Sequence, residues 1–312
     1  MTEHSDDFDY SEENQKYEAP AFSKLSASKI ADQFWCEMQL HLKLQIGMEP
    51  TEEMIKGSEI HRSLEEELGP IIEVIVTTPD DSVIAYILQI YMKLLSMLTK
   101  RLTRELPVIG KINEIPVLGI IDQVEIEEFE NQKSLIISDY KTRRSKKAPS
   151  YEQKRRNQIQ MQVYWYLLND LLNGKFTIQM FKEYFEITNK LEPSPELLDQ
   201  LPDEHKELFE KLTPLDLLDK IFEMYKALPK LSNELRAIYL YQEDQSVVFA
   251  DRSYYHEEIF EVDMDWAMGY WSGKRTPNDC SQNWMCKFCQ FTDNCSYFLK
   301  RYLNEKEKKK KK

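Results

Sequence analysis

The spacing of apolar residues predicts a chain in which helices and strands alternate. Apolar positions recur every three or four residues in some segments and every second residue in others, and turn-forming residues separate them. Helices are predicted at Ser26–Leu44, Thr51–Leu68, Asp80–Leu102, Tyr151–Leu172, Glu196–Leu228 and His256–Trp271, with another at the end of Asn283–Tyr302. Strands are predicted at Ile71–Thr77, Arg104–Ile109, Ile115–Glu127, Leu135–Lys141 and Thr177–Ile187, with a hairpin at Ala237–Tyr254.

This order of elements predicts an α/β (α+β) fold in which helices surround a mixed central sheet. The chain has 312 residues, of which 42% are hydrophobic, enough to build a substantial core. We predict one domain over residues 23–303. Residues 1–22 are acidic and aperiodic and are predicted to be disordered, and residues 304–312 form a basic tail.

Composition restricts the compartment and the class of protein. No apolar run approaches the length of a membrane span, because Gln89 and Lys93 interrupt the longest candidate. The N-terminus lacks a secretory signal, and its acidity disfavours a mitochondrial transit peptide, so an intracellular protein of nucleus or cytoplasm is expected. Five cysteines in such a chain indicate metal or redox chemistry rather than disulfides.

Charge is distributed unevenly. The net charge is −13, which by itself disfavours nucleic acid as a partner. However, the segment 141–156 contains eight basic residues and only one acidic residue. Four of these, Arg143, Arg144, Lys146 and Lys147, are the candidate contacts to DNA phosphates. The alternative is a solvated surface.

Two aspartates and a lysine lie on neighbouring predicted strands. Asp122 follows Gly-Ile-Ile, and Asp139 and Lys141 are two residues apart, so they share one face of a strand. Carboxylates at such positions suit Mg²⁺ or Mn²⁺, which can activate a water and polarise a phosphodiester, with Lys141 neutralising the developing charge. The alternative is an internal salt bridge between Lys141 and one aspartate.

Two helices flank these strands and add four polar candidates. His61 and Glu65 are four residues apart on one face, where the histidine can be a third metal ligand and the glutamate can support it. Gln160 and Tyr164 share a face in the same way and can orient a water or a phosphate. The alternatives are an exposed histidine on a capped helix and an ordinary amphipathic helix.

Taken in order, four motifs resemble those of RecB-family nucleases in the PD-(D/E)xK group. They are Gly-x-x-x-His ending at His61, Gly-Ile-Ile-Asp ending at Asp122, Asp-Tyr-Lys-Thr starting at Asp139, and Gln-Met-Gln-Val-Tyr ending at Tyr164. Over about residues 25–298 the chain most resembles the eukaryotic exonuclease V family. The resemblance implies a RecB-like nuclease core and a single-strand-specific DNA exonuclease that acts from free ends, typically 5′ to 3′, in DNA repair or replication.

Three cysteines near the C-terminus, Cys286, Cys289 and Cys295, form a C-x2-C-x5-C pattern that lacks a fourth ligand. Spacing leaves two candidates open: Cys280, for a local zinc site, and the distant Cys36. The resemblance implies Cys36 and a [4Fe–4S] cluster that joins the N- and C-terminal segments, with Cys280 as a spare.

Other functions are compatible with these residues. The same chemistry fits a CRISPR-associated or helicase-partnered nuclease, and the sequence also allows a non-catalytic DNA-binding protein or a zinc-containing interaction protein. The expected partner is single-stranded DNA, with a single-strand DNA-binding protein as candidate protein partner. A monomer that does not bind membranes is expected.

Overall fold

The computed structural model describes residues 25–188 and 190–310, so the predicted acidic tail 1–22 and the last two lysines lie outside the described residues. The strands are β1 (Leu25–Ser26), β2 (Leu102–Ile112), β3 (Ile115–Phe129), β4 (Gln132–Arg143), β5 (Lys230–Tyr241) and β6 (Val247–Tyr254). The α-helices are α1 (Ala27–Ile46), α2 (Glu52–Glu66), α3 (Pro79–Lys100), α4 (Tyr151–Leu172), α5 (Ile178–Tyr184), α6 (Pro195–Gln200), α7 (Asp203–Lys211), α8 (Pro214–Ala227), α9 (Glu257–Trp271) and α10 (Ser296–Lys310).

All six strands of the described residues belong to one mixed sheet, which confirms the predicted fold class. The order is β1-β3-β4-β5-β6, and β2 pairs with β3. The contacts β2–β3, β3–β4 and β5–β6 are antiparallel, whereas β1–β3 and β4–β5 are parallel. Helices α1, α3, α4 and α8 pack around this sheet and enclose the main apolar core.

One edge of β3 is shared by two different strands. Strand β2 pairs with the opposite edge of β3 along most of the length of β3. Strands β1 and β4 must therefore both pair with the remaining edge of β3. β1 pairs at Val117–Leu118, and β4 begins to pair only at Gln123. Between these contacts the edge of β3 is open from Gly119 to Asp122. This opening lies where the sequence predicts a catalytic carboxylate.

Helix α3 packs against β2 and α8. Within the described residues it is the one helix long and apolar enough to cross a membrane, although core helices of soluble proteins pass the same test. Here Ile84, Ile87, Leu94 and Met97 are fully buried against the rest of the core. Packing therefore accounts for its apolar face.

Two predicted strands are wrong. Residues 71–77 form an irregular segment, in which Ile75 is 75% exposed and its N–H donates to the Gln200 side chain rather than to a strand. The second segment contains helix α5, because the Thr177 hydroxyl accepts from Met180 N–H as an N-cap and the helix buries Phe181 against the core. Neither the β-branched run at residues 71–77 nor the short apolar run at residues 177–187 forms a strand, so local composition alone did not predict these two segments correctly.

The long helix predicted at residues 196–228 is instead three helices, α6 to α8. Pro202 and Pro214 lie at the starts of α7 and α8, where proline is compatible with a helix but not with the continuation of the preceding one. The β5–β6 hairpin is longer than predicted, since β5 begins at Lys230. The C-terminal helix α10 continues to Lys310, eight residues beyond the predicted end at Tyr302. The remaining predicted helices and strands lie where expected to within a few residues, and α4 has the predicted bounds.

Candidate active site

Helix α2 brings His61 to the sheet through a close backbone approach. The helix is capped by Thr51, whose hydroxyl accepts from Met54 N–H. A Cβ atom on Gly57 would lie 2.9 Å from the Thr142 hydroxyl, so a larger residue would push α2 away from the end of β4. The glycine of the Gly-x-x-x-His motif is thus required by packing, and it sets the position of the histidine one turn later.

Asp122 lies where β3 and β4 separate. The β3–β4 ladder ends at the Gln123–Ser138 pair, and beyond it Tyr140 N–H donates to Asp122 Oδ2 at 2.7 Å. The carboxylate therefore satisfies a backbone group that the sheet leaves unpaired. A glycine is needed nearby, because a Cβ on Gly119 would lie 2.8 Å from the ring of Tyr164.

Asp122 and His61 meet a third potential ligand, the acidic residue Glu105 of β2. His61 Nδ1 lies 3.4 Å from Glu105 Oε1 and 3.8 Å from Asp122 Oδ2. One potential ligand atom from each of the three residues lies within 4.8 Å of the others, an arrangement that can hold a metal ion. Glu105 was not predicted from the sequence. Like Asp122, it is an acidic residue within a predicted apolar strand, and this was the signal that could have identified it.

The backbone at Glu105 has an unusual conformation. Its φ is 52°, in the left-handed region that non-glycine residues rarely adopt. The β2–β3 ladder pairs Arg104 with Gln123 and Leu106 with Ile121 and omits Glu105 between them. Local strain of this kind is concentrated at functional sites.

Asp139 and Lys141 form a second group beside the first. Asp139 is fully buried, and Lys141 Nζ lies 3.0 Å from its Oδ1 and 2.9 Å from its Oδ2. Lys141 also donates to Gln160 Oε1 at 3.1 Å, and Gln160 Nε2 donates to the Tyr164 hydroxyl at 2.6 Å. Since Gln160 and Tyr164 are both buried, they hold Lys141 in place and do not face the groove themselves.

Burial and charge shift the ionisation of this cluster. Burial raises the pKa of Asp139 to about 7, against the opposing effect of Lys141, and it also raises the pKa of Asp122. Burial lowers the pKa of His61, but Glu105 and Asp122 raise it by more, and the net pKa is above its ordinary value. The pKa of Lys141 is also raised, because the two aspartates outweigh its burial. Repulsion among the carboxylates also contributes to the raised pKa values of both aspartates, and a bound cation would relieve it.

Glu65 does not join the potential metal ligands. Its carboxylate forms an ion pair with Lys93 of α3. Glu65 still lines the groove that contains His61 and Lys141. The geometry therefore favours Glu65 as a structural link between α2 and α3 over its predicted role in supporting His61.

The cluster opens into a groove of about 1310 Å³. Its walls come from α2, from the ends of β2 and β4, from the loop after β4 and from Phe288 near the C-terminus. Of the four predicted DNA contacts, Arg143 and Arg144 line this groove, whereas Lys146 and Lys147 are not among its described lining residues.

Most of the basic run is neutralised by acids from other parts of the chain. The ion pairs are Arg144–Glu53, Lys146–Asp244, Lys154–Asp251, Arg155–Asp263 and Arg156–Asp32. Arg143 and Lys147 pair with no carboxylate in the described part of the chain, and of these two only Arg143 lines the groove. Arg143 donates to Gln153 at 3.2 Å and lies over the Tyr239 ring. Its charge is therefore the most available to an anionic ligand in the groove.

The five cysteines lie together beside the middle of α1, and all are free thiols. Cys36, Cys280, Cys286, Cys289 and Cys295 line one small cavity. Cys280 Sγ lies 3.5 Å from Cys286 Sγ, so the structure brings the predicted spare to the same place as the four predicted ligands. The positions of the sulfurs therefore do not decide whether Cys36 or Cys280 is the fourth ligand.

Helix α1 is interrupted where it contributes its cysteine. Cys36 has extended backbone angles, φ −161° and ψ 110°, and its sulfur accepts from Gln39 N–H at 3.4 Å. The sulfur thus caps the second half of the helix, where the backbone N–H groups favour a thiolate. Gln39 Nε2 and Arg301 donate to the sulfurs of Cys289 and Cys286, respectively.

The N–H groups of Gln39 and Arg301 that donate to the cysteine sulfurs suit a group that is bound through thiolates. Burial raises the pKa of Cys36 to about 12 when no cation is present, so the cavity favours deprotonated thiols only with a metal. A separate small apolar cluster, built from Met38, Leu42 and Phe291, packs beside the sulfurs. The donor set, free of disulfides and supplied with N–H groups, therefore fits a four-cysteine cluster.

A salt bridge also joins the same two ends of the chain. Glu37 is buried beside Cys36, and Arg275 contacts both of its oxygens at 2.6 and 2.5 Å. Asn278 N–H adds a bond of 2.8 Å to the same carboxylate. The N- and C-terminal segments are thus held together independently of any metal.

Comparisons with known protein sequences assign the chain to a family. A family model described as exonuclease V, a 5′ deoxyribonuclease, matches residues 13–134, 128–217 and 209–298. Exonuclease V of Danio rerio is 25% identical over 290 residues, which cover 89% of this chain and 71% of that protein. Two solved structures are each 12% identical with a TM-score of 0.38: SSO0001, with 90% of both chains covered, and a candidate exonuclease from Eubacterium rectale, with 92% of this chain and 94% of that one. The motif resemblance is thereby confirmed, and the chain belongs to the exonuclease V family of deoxyribonucleases.

Proposed function

We propose that this chain is a metal-dependent exonuclease that hydrolyses single-stranded DNA from free ends, in the 5′ to 3′ direction. The observation that carries the proposal is the position of His61, Glu105 and Asp122 next to the Asp139–Lys141 pair. Three residues of this cluster, His61, Glu105 and Lys141, line one groove. The proposal includes a role in DNA repair or replication, in which single strands with free ends arise.

The donor set suits Mg²⁺ or Mn²⁺. Asp122, Asp139 and His61 are the ligands expected from the sequence, and Glu105 is added by the geometry. Asp139 Oδ2 is buried and, within the described part of the chain, accepts no hydrogen bond of good geometry, so it retains a lone pair for a cation. A bound divalent ion would lower the pKa of a water and polarise the scissile phosphodiester.

Lys141 supplies a fixed positive charge on the face of β4 that carries Asp139. Its raised pKa keeps the ammonium protonated at neutral pH, so it stabilises charge that develops on the phosphate and does not act as a base. Gln160 and Tyr164 act through Lys141, because the hydrogen-bond chain from Tyr164 to Gln160 ends on its Nζ. They are positioning residues.

The charges along the groove favour one strand over two. Duplex DNA carries about one negative charge per 1.7 Å of its axis, and tight binding requires many phosphate contacts. Here the ion pairs of the basic run leave Arg143 as the cation that lines the groove without a carboxylate partner among the described residues. A single strand that follows the groove needs fewer such contacts.

We also propose that Cys36, Cys286, Cys289 and Cys295 hold a [4Fe–4S] cluster with a structural role. This is supported by the convergence of these thiols in one cavity and by the N–H groups of Gln39 and Arg301 that reach two of the sulfurs. When bound, the cluster would supply a covalent link between α1 and the segment before α10.

Strand digestion tests the proposed activity. The purified full chain would be incubated with single-stranded, duplex and circular single-stranded DNA, with either end labelled, in Mg²⁺, Mn²⁺ or EDTA. We expect short products from the 5′ end of linear single strands and intact circles, duplexes and EDTA samples. An Asp139→Asn variant is the inactive control. Equal cleavage of circles, preferential cleavage of duplex or activity in EDTA would contradict the proposal.

A further inference from the structure

A large aromatic side chain lies exposed at the wall of the catalytic groove. Phe288 belongs to the short helix Asn283–Phe288 and is 78% exposed. It lines the same groove as His61, Lys141 and Arg143. Most of the other residues that line the groove are polar, and an exposed phenylalanine contributes little to folding there. Its position therefore calls for an explanation in terms of a ligand.

The ring is held by a row of aromatic contacts that begins at α1. Trp35 packs edge-on against Trp284 with 5.8 Å between ring centroids, and Trp284 packs edge-on against Phe288 at 6.3 Å. Phe288 is also the residue directly before Cys289, whose sulfur lies in the cysteine cavity. Both neighbours fix the segment that carries the ring, while the ring itself stays largely exposed and lines the groove.

We propose that Phe288 stacks on a base of the single strand and so positions that strand for cleavage. This inference rests on the proposed function and names a contact within the same groove. The charge of Arg143 complements this contact, because Arg143 can bind a phosphate of the strand while the Phe288 ring stacks on a base. This combination of cation and aromatic is the common means of binding single strands without regard to sequence.

Stacking on Phe288 also selects for unpaired DNA. A base within a duplex has both of its faces covered by neighbouring bases, so no face is free for the ring. A base in a single strand can separate from its neighbour and stack on the protein instead. The residue thus contributes to strand specificity as well as to affinity.

Equilibrium and kinetic measurements on three variants test this contact. Phe288→Ala removes the ring, Phe288→Trp keeps an aromatic face, and Phe129→Ala removes a similarly exposed phenylalanine from the distant β3–β4 turn. We expect Phe288→Ala to raise the KM and the Kd for a single-stranded oligonucleotide about tenfold, with kcat and iron content near those of the unsubstituted chain. Phe288→Trp and Phe129→Ala should leave both constants within about twofold.

A scan with the unsubstituted chain provides a test that does not depend on a folded variant. A single abasic site would be moved along the oligonucleotide, and binding would be measured in Ca²⁺. We expect one position at which loss of the base weakens binding. In Phe288→Ala, loss of the base at that position should no longer change the affinity. Unchanged constants in Phe288→Ala, or affinity independent of the abasic position, would overturn the inference. If the unsubstituted chain binds the strand but cuts no DNA, the proposed function fails while the stacking contact is still measured.

Discussion

His61 Nδ1 and Asp122 Oδ2 lie 3.8 Å apart across the junction of α2 and β3, and Glu105 completes the group from β2. Because three elements supply the proposed ligands, we expect the removal of one ligand to leave the fold intact but the proposed cation incompletely held. We predict that Asp122→Asn and Glu105→Gln each lower the cleavage rate by at least about 100-fold, while DNA binding in Ca²⁺ changes little.

The measurement is the cleavage rate as a function of Mg²⁺ or Mn²⁺ concentration. Glu125→Gln is the matched control, since Glu125 lies on β3 three residues beyond Asp122 and is not among the residues that line the groove. Near-normal turnover in Glu105→Gln would remove that residue from the metal site, and near-normal turnover in Asp122→Asn would end the nuclease mechanism as proposed.

Lys141 is predicted to contribute as a cation rather than as a base. We expect Lys141→Ala to lower kcat about 100-fold with little change in KM, because its charge matters most when negative charge develops on the phosphate. Its pKa is raised above the ordinary lysine value, so it stays protonated from about pH 6 to pH 9. The pH profile of kcat should therefore show no step that Lys141→Ala removes. Such a step would instead identify Lys141 as a proton acceptor.

The sequence predicts much of the site because its motifs are local. The pair Asp139 and Lys141 depends on the two-residue period of a strand, and Gln160 and Tyr164 depend on the turn of α4. Both relationships follow from secondary structure alone, and the structure adds the hydrogen bonds that connect them. The resemblance of the ordered motifs supplies the remaining step, from separate residues to one nuclease.

Features that depend on tertiary contacts were not predictable in this way. Glu105 faces His61 only because α2 packs against the end of β2, and its left-handed backbone has no local sequence signature. The acids that neutralise the basic run come from distant elements, as in the pairs Arg156–Asp32 and Arg155–Asp263. A count of charges along the sequence therefore overestimated the positive surface.

Arg143 is predicted to contribute more to DNA binding than its neighbours. For single strands, each phosphate contact adds about 0.7 to the slope of log affinity against log salt concentration. We expect Arg143→Ala to reduce that slope by about this amount, whereas Lys147→Ala should leave it unchanged. Binding of a labelled oligonucleotide would be measured at several salt concentrations. An unchanged slope in Arg143→Ala would make this residue a packing partner of Tyr239 and nothing more.

The last prediction separates the two possible sets of cysteine ligands. If the cluster uses Cys36, then Cys36→Ala should lose iron and its visible absorption, lower the melting temperature by about 5–15 °C and abolish DNA binding and cleavage. Metal binding and folding are linked here because the bonds would close almost the whole chain into a loop. Cys280→Ala should change none of these properties.

The contact between Glu37 and Arg275 keeps this comparison informative. It joins the same two segments without metal, so Cys36→Ala should still fold, as circular dichroism can verify, and loss of activity can then be assigned to the missing cluster. Because Cys280 lies 3.5 Å from Cys286, it is close enough to be a ligand itself. Iron content measured for both variants decides between them: loss in Cys280→Ala with retention in Cys36→Ala would mean that the site is local and that the cluster does not join the ends of the chain.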